Sequence, residues 1–74
     1  MGIQIVMDRN GDTRHQFDRD DAKSVASAEK LFLKLTGQGY RAVALADNGE
    51  PGELLGRFDA KTERMLFIPH LKGG

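Results

Sequence analysis

The chain has 74 residues, which is one domain with a small core and modest stability. It contains no cysteine, so disulfides, thiolate metal sites and a cysteine nucleophile are all excluded. Eleven basic residues balance eleven acidic ones and are scattered among them, whereas nucleic-acid binding calls for a basic stripe. The longest apolar runs are too short to span a bilayer, and no basic-then-apolar leader opens the chain. The expectation is a soluble, cytoplasmic protein that engages neither membrane nor nucleic acid.

Ile3-Gln4-Ile5-Val6-Met7 is rich in β-formers, and strand alternation puts Ile3, Ile5 and Met7 on one face. Asn10-Gly11 is the dipeptide that tight hairpin turns favour. Thr13 to Phe17 then returns antiparallel, with Thr13, His15 and Phe17 on the core side. Asp18-Arg19-Asp20-Asp21 ends that strand and offers carboxylates for a helix N-cap. The period then changes. Val25, Ala28, Leu31, Phe32 and Leu35 share one arc at helical spacing, which predicts a helix over about residues 21 to 37. Leu33 lies off the arc. Gly37 and Gly39 offer left-handed stops.

Tyr40 to Ala46 reads as a third strand. Asp47 to Gly52 is dense in turn formers, and Gly49-Glu50-Pro51-Gly52 is a turn rather than a phosphate loop, since no lysine and helix follow. Glu53 to Phe58 is predicted as a short fourth strand, and Glu63 to Ile68 as the last. The last strand is apolar on both parities: Met65 and Phe67 on one, Leu66 and Ile68 on the other. That pattern belongs to a central strand with neighbours on both edges. A final strand in the centre, beside an initial hairpin and under one helix, is the β-grasp arrangement. The predicted class is therefore α+β, ββαββ(β) with one helix on a mixed sheet. The alternative is ββαβββ with a C-terminal antiparallel meander over residues 40 to 68.

Residue types that carry chemistry elsewhere are poorly arranged here. Asp8, Asn10 and Asp12 have the spacing that opens a calcium-binding loop. The glycine, however, comes one place early at Gly11, and Arg19 stands where the bidentate glutamate belongs. His15 and His70 are the only histidines, with no thiolate to join them in a metal site. Ser24 and Ser27 have no histidine base near in sequence, so a hydrolase triad is not expected. Neither a catalytic residue, a metal site nor a cofactor is predicted. Val6, with Leu66 and Ile68 on one parity of the last strand, is expected to form a small apolar patch facing away from the helix. Such a patch, if contiguous, marks a partner surface.

The chain runs from the last strand into Leu71-Lys72-Gly73-Gly74. Glycines lack a Cβ and can be drawn extended through a narrow channel. Element order, the Met1-Gly2-Ile3-Gln4-Ile5-Val6 opening and this Leu-Lys-Gly-Gly segment together resemble ubiquitin and the small sulfur carriers of thiamin and molybdenum-cofactor synthesis. The resemblance implies a ubiquitin-like domain over residues 1–69 and a flexible tail over 70–74. It implies a protein substrate rather than an enzyme, with the Gly74 carboxylate, next to Gly73, as conjugation or thiocarboxylate site. Leu71, Lys72, Ile68, Leu66 and Val6 would meet the partner. The implied partners are an adenylating enzyme and an acceptor protein or sulfur-accepting enzyme, with the carrier itself a monomer.

Overall fold

The structure is a computed structural model that describes residues 2–8, 11–46, 48 and 50–69. The strands are β1 (Gly2–Asp8), β2 (Gly11–Phe17), β3 (Arg41–Leu45), β4 (Pro51–Leu54) and β5 (Arg64–Ile68), with one helix, α1 (Ala22–Gly37), between β2 and β3. They form a single five-stranded sheet in the order β2-β1-β5-β3-β4. β5 pairs in parallel with β1, Ile5 opposite Leu66, and antiparallel with β3, Val43 opposite Leu66. The last strand is therefore central, flanked on both sides, and the fold is a β-grasp. The meander alternative is set aside, because the strand preceding β5 in sequence lies at the sheet edge against β3.

The helix starts and stops where local chemistry directs. Asp21 is the N-cap, in extended conformation, and its Oδ1 accepts from the Lys23 amide at 3.0 Å. Such a cap contributes about 1 kcal/mol. Ser24 Oγ accepts from the Asp18 amide at 2.8 Å, tying the turn after β2 to the first helical turn. At the other end the Tyr40 amide donates to the Leu35 carbonyl and the Gly39 amide to that of Thr36, with Gly39 at φ 98°. This is a Schellman ending. Gly37 is the last helical residue, and Gly39 alone supplies the left-handed step.

The predicted arc is the buried one. Ala28, Phe32 and Leu35 are buried, with Val25 and Leu31 packed beside them, whereas Leu33 is 61 % exposed. Opposite the helix lie Met65 and Phe67 of β5, both fully buried. All four phenylalanines join in a chain of tilted and edge-to-face rings: Phe17–Phe58 at 5.9 Å, Phe58–Phe32 at 6.0 Å and Phe32–Phe67 at 5.8 Å. Each such pair contributes about 0.5–1.5 kcal/mol beyond its buried area.

Two expectations are corrected. The fourth strand is Pro51–Leu54, earlier than the predicted Glu53 to Phe58. Its edge position tolerates Pro51. A Cβ at Gly52 would stand 2.9 Å from the Ala44 carbonyl oxygen, so glycine allows β4 to close on β3. The Leu55 amide still donates to the Ala42 carbonyl of β3 at 2.8 Å, after which the segment leaves the sheet, and Leu55 and Phe58 cap the core. The second correction is Val6, which does not face away from the helix. It is 8 % exposed and belongs to the core with Phe17 and Phe67. Pairing Asp8 with Gly11 sets Phe17 opposite Gly2, so once Phe17 points at the helix, Gly2, Gln4 and Val6 must as well.

Gly2 is where that parity is tightest. A Cβ there would lie 2.2 Å from Cζ of Phe17. Gly2→Ala should therefore displace a ring held between sheet and Phe58, at a cost of about 1–3 kcal/mol. Chemical denaturation compared with wild type measures it, and an unchanged midpoint would contradict this packing.

Candidate partner-docking face

The face of the sheet turned away from α1 is built from alternate residues of all five strands. Residues directly opposite on paired strands project to the same side. One row runs Arg14–Ile5–Leu66–Val43–Leu54 across the full width of the sheet. A second pairs Gln16 with Ile3 and Ile3 with Arg64. Arg41 stands opposite Ile68, and Asp12 opposite Met7.

The centre of this face is apolar and no element of the described chain covers it. Val43 is buried by its neighbours, and Ile3, Ile5, Leu45 and Leu66 are half-buried. Met7, Ile68 and Leu54 are exposed, Leu54 by 65 %. A shallow depression of about 340 Å³ lies among Ile3, Ile5, Leu45, Arg14 and Arg64. A second hollow, of about 440 Å³, sits at the C-terminal end of α1 beside β3 and β4, with Tyr40, Arg41, Leu54 and Leu55 in its walls. Arg41 and Leu54 join the two regions. Monomeric proteins seldom expose contiguous apolar surface without a use for it.

Of the residues assigned to partner contact from sequence, Leu66 and Ile68 are on this face. Val6 is on the opposite one, under the helix. Leu71, Lys72, Gly73 and Gly74 lie outside the described residues, as does His70. Sequence reasoning missed Ile3, Ile5 and the buried Val43 as residues of this face, and Arg14, Arg41 and Arg64 as the cations beside them. The hairpin register held the missing signal, since it fixes the parity of β1 from that of Phe17.

The residues considered for other chemistry take structural places. Asp12 shares its face with Met7, while Asp8 is one residue out of phase and projects to the other side; Asn10 lies outside the described residues. Asp12 Oδ2 is 3.6 Å from Nε of Arg14, an exposed pair of little energetic weight. Among the described residues no three His, Cys, Asp or Glu side chains gather in a metal-binding group. His15 is exposed on edge strand β2 opposite Gln4. Ser24 serves the turn described above, and Ser27 is exposed on the helix. Asn48 Oδ1 accepts from the Glu50 amide at 3.0 Å, a turn leading directly into β4 rather than a phosphate cradle. Among the described residues no helix is long and apolar enough to cross a membrane.

A scan of protein-family models, a search of curated proteins and a search of solved structures each found no match to this chain.

Proposed function

We propose that this protein is a ubiquitin-like modifier or sulfur carrier whose Gly74 carboxylate is activated by a partner adenylating enzyme. The observation that carries the proposal is topological. The β-grasp sheet places β5 at its centre, and the sequence runs from β5 into Leu71-Lys72-Gly73-Gly74. A rigid central strand is a firm base from which to present a thin segment to another protein's active site.

The chemistry belongs to the backbone terminus. The Gly74 carboxylate attacks the α-phosphorus of ATP, forming a carboxyl–adenylate bond and releasing pyrophosphate. A thiol, sulfide or amine then attacks the acyl carbon and AMP departs. The domain supplies the grip: the enzyme holds the open sheet face through Leu66, Ile68, Ile3 and Ile5, while Leu71 and Lys72 guide the glycines. The chain is a substrate in this scheme, and its own side chains perform no chemistry.

Intact mass of the native protein should first show Gly74 as its carboxyl end. Incubation with ATP and the candidate adenylating enzyme should then yield an AMP-linked or thioester-linked species. Gly74→Val, or extension by one residue, should abolish that species without altering the fold. A native chain continuing past Gly74, or activation indifferent to these changes, refutes the carrier role.

The apolar sheet face independently favours a second reading, a protein-interaction domain in which the glycines have no role. In that case binding survives deletion of Gly73 and Gly74 and needs no ATP.

A further inference from the structure

From the charges bordering the open sheet face, we infer that its partner is an acidic protein surface, with apolar side chains set between carboxylates. The inference rests on the docking role proposed for this face and is independent of the tail. The whole chain is electrically balanced, with eleven charges of each sign. The open face is not. Its strand register places Arg14, Arg41 and Arg64 there with Asp12 as their acidic counterpart. Asp12, 3.6 Å from Arg14 in an exposed and weak pair, offsets one of these three charges, which leaves the face a net positive surplus.

The arrangement of these charges suits an apolar contact with an ionic border. Arg14, opposite Ile5 on β2, and Arg64, opposite Ile3 on the central strand, line the depression together with Ile3, Ile5 and Leu45. Arg41 lies opposite Ile68, toward the end of β5. An apolar side chain seated in that depression would bring flanking carboxylates within reach of both arginines. Arginine is suited to this because its planar fork pairs with carboxylates in two-point fashion. Complementary charge of this kind selects the partner and speeds encounter more than it adds affinity.

Other occupants fit less well. A second copy meeting face to face would set this positive surplus against itself. Nucleic acid needs cations that track a phosphate backbone, and here the centre of the face is aliphatic.

Isotope-labelled protein titrated with synthetic peptides tests the inference by amide NMR. One peptide alternates leucine with aspartate, its counterpart alternates leucine with lysine, and vesicles of phosphatidylserine and phosphatidylcholine form a third arm. The leucine–aspartate peptide should shift amides of Ile3, Ile5, Leu45, Leu66 and Arg64, and should weaken by about tenfold or more at high salt. The double variant Arg14→Glu with Arg64→Glu should reverse the preference, losing the aspartate peptide and gaining the lysine one. Both positions are exposed, and the variant's amide spectrum verifies its fold. Equal binding of the two peptides at this face overturns the acidic partner while leaving the face a docking surface. No shifts with either peptide, shifts elsewhere, concentration-dependent self-shifts or binding to vesicles alone overturn the inference altogether. The ATP assay on Gly74 is unaffected by any of these results.

Discussion

Phe32→Ala should cost about 3–5 kcal/mol, the range for truncating a buried phenylalanine that the surroundings cannot fill. Phe32 is 2 % exposed and meets Phe58 at 6.0 Å and Phe67 at 5.8 Å, both nearly edge to face. It joins the helix to the central strand and to the irregular segment after β4. Its loss therefore opens a cavity between three elements rather than beside one. At the usual stability per residue, a domain of this size holds roughly 4–11 kcal/mol in total. The variant should lose a large part of that total, visible as a strongly lowered denaturation midpoint. Leu33→Ala, one position along the same helix, should change stability by less than about 0.5 kcal/mol, because the side chain is 61 % exposed. Equal effects at the two positions would mean the helix presents a different face to the sheet.

The fold was legible where a single periodicity dominates. Val25, Ala28, Phe32 and Leu35 mark the helical arc and its buried face together, and Met65-Leu66-Phe67-Ile68, apolar on both parities, marks a central strand. That second pattern gives β5 a neighbour on each edge but not their direction, and the parallel pairing with β1 is set by the observed register. β4 was misplaced because Pro51 and Gly52 carry turn propensity that an edge position overrides. Leu54, Leu55 and Phe58 resembled a strand by composition, yet Leu55 and Phe58 point into the core from a loop.

The docking face was only half legible, and the reason is β1. Hydrophobicity points Ile3, Ile5 and Met7 inward and leaves Gln4 with Val6 outside. The register does the opposite, and the core accepts a glutamine because the helix supplies its partner. Glycine at position 2 adds to the disguise, since the room it leaves is filled by Phe17 from the next strand. The apolar strand face thus released to the surface is the one the proposed function uses. A sheet with Ile3 and Ile5 under the helix would have left only Gln4 and Val6 for a partner. The same inversion that stabilises the hairpin against α1 therefore creates the candidate site.

Gln4→Glu should destabilise the protein by several kcal/mol at neutral pH and much less in acid. Gln4 is 1 % exposed, and its Nε2 donates to the Ala28 carbonyl of the helix at 2.9 Å, with Met65 Sδ at 4.0 Å. Both neighbours are acceptors. An ionised carboxylate in this place would face them without a donor of its own, whereas a protonated one keeps the bond to Ala28. Burial raises a carboxyl's pKa by as much as 3–5 units in the extreme case. The folded variant would then hold the proton of the introduced carboxyl more tightly than the unfolded chain, where a glutamate titrates near about 4.3. Stability must accordingly fall as pH rises from the unfolded value towards the folded one, by about 1.4 kcal/mol for each unit. Below about pH 4 this linkage penalty disappears, since the carboxyl is protonated in both states. Gln4→Leu carries no such dependence and should change stability by no more than about 1.5 kcal/mol, because the Ala28 carbonyl loses one neutral hydrogen bond. Denaturation of both variants from pH 4 to pH 8, referred to wild type at each pH, separates the two effects. A pH-independent Gln4→Glu would mean that residue 4 is open to water. The inward parity of β1, and with it the docking face on the other side of the sheet, would then be wrong.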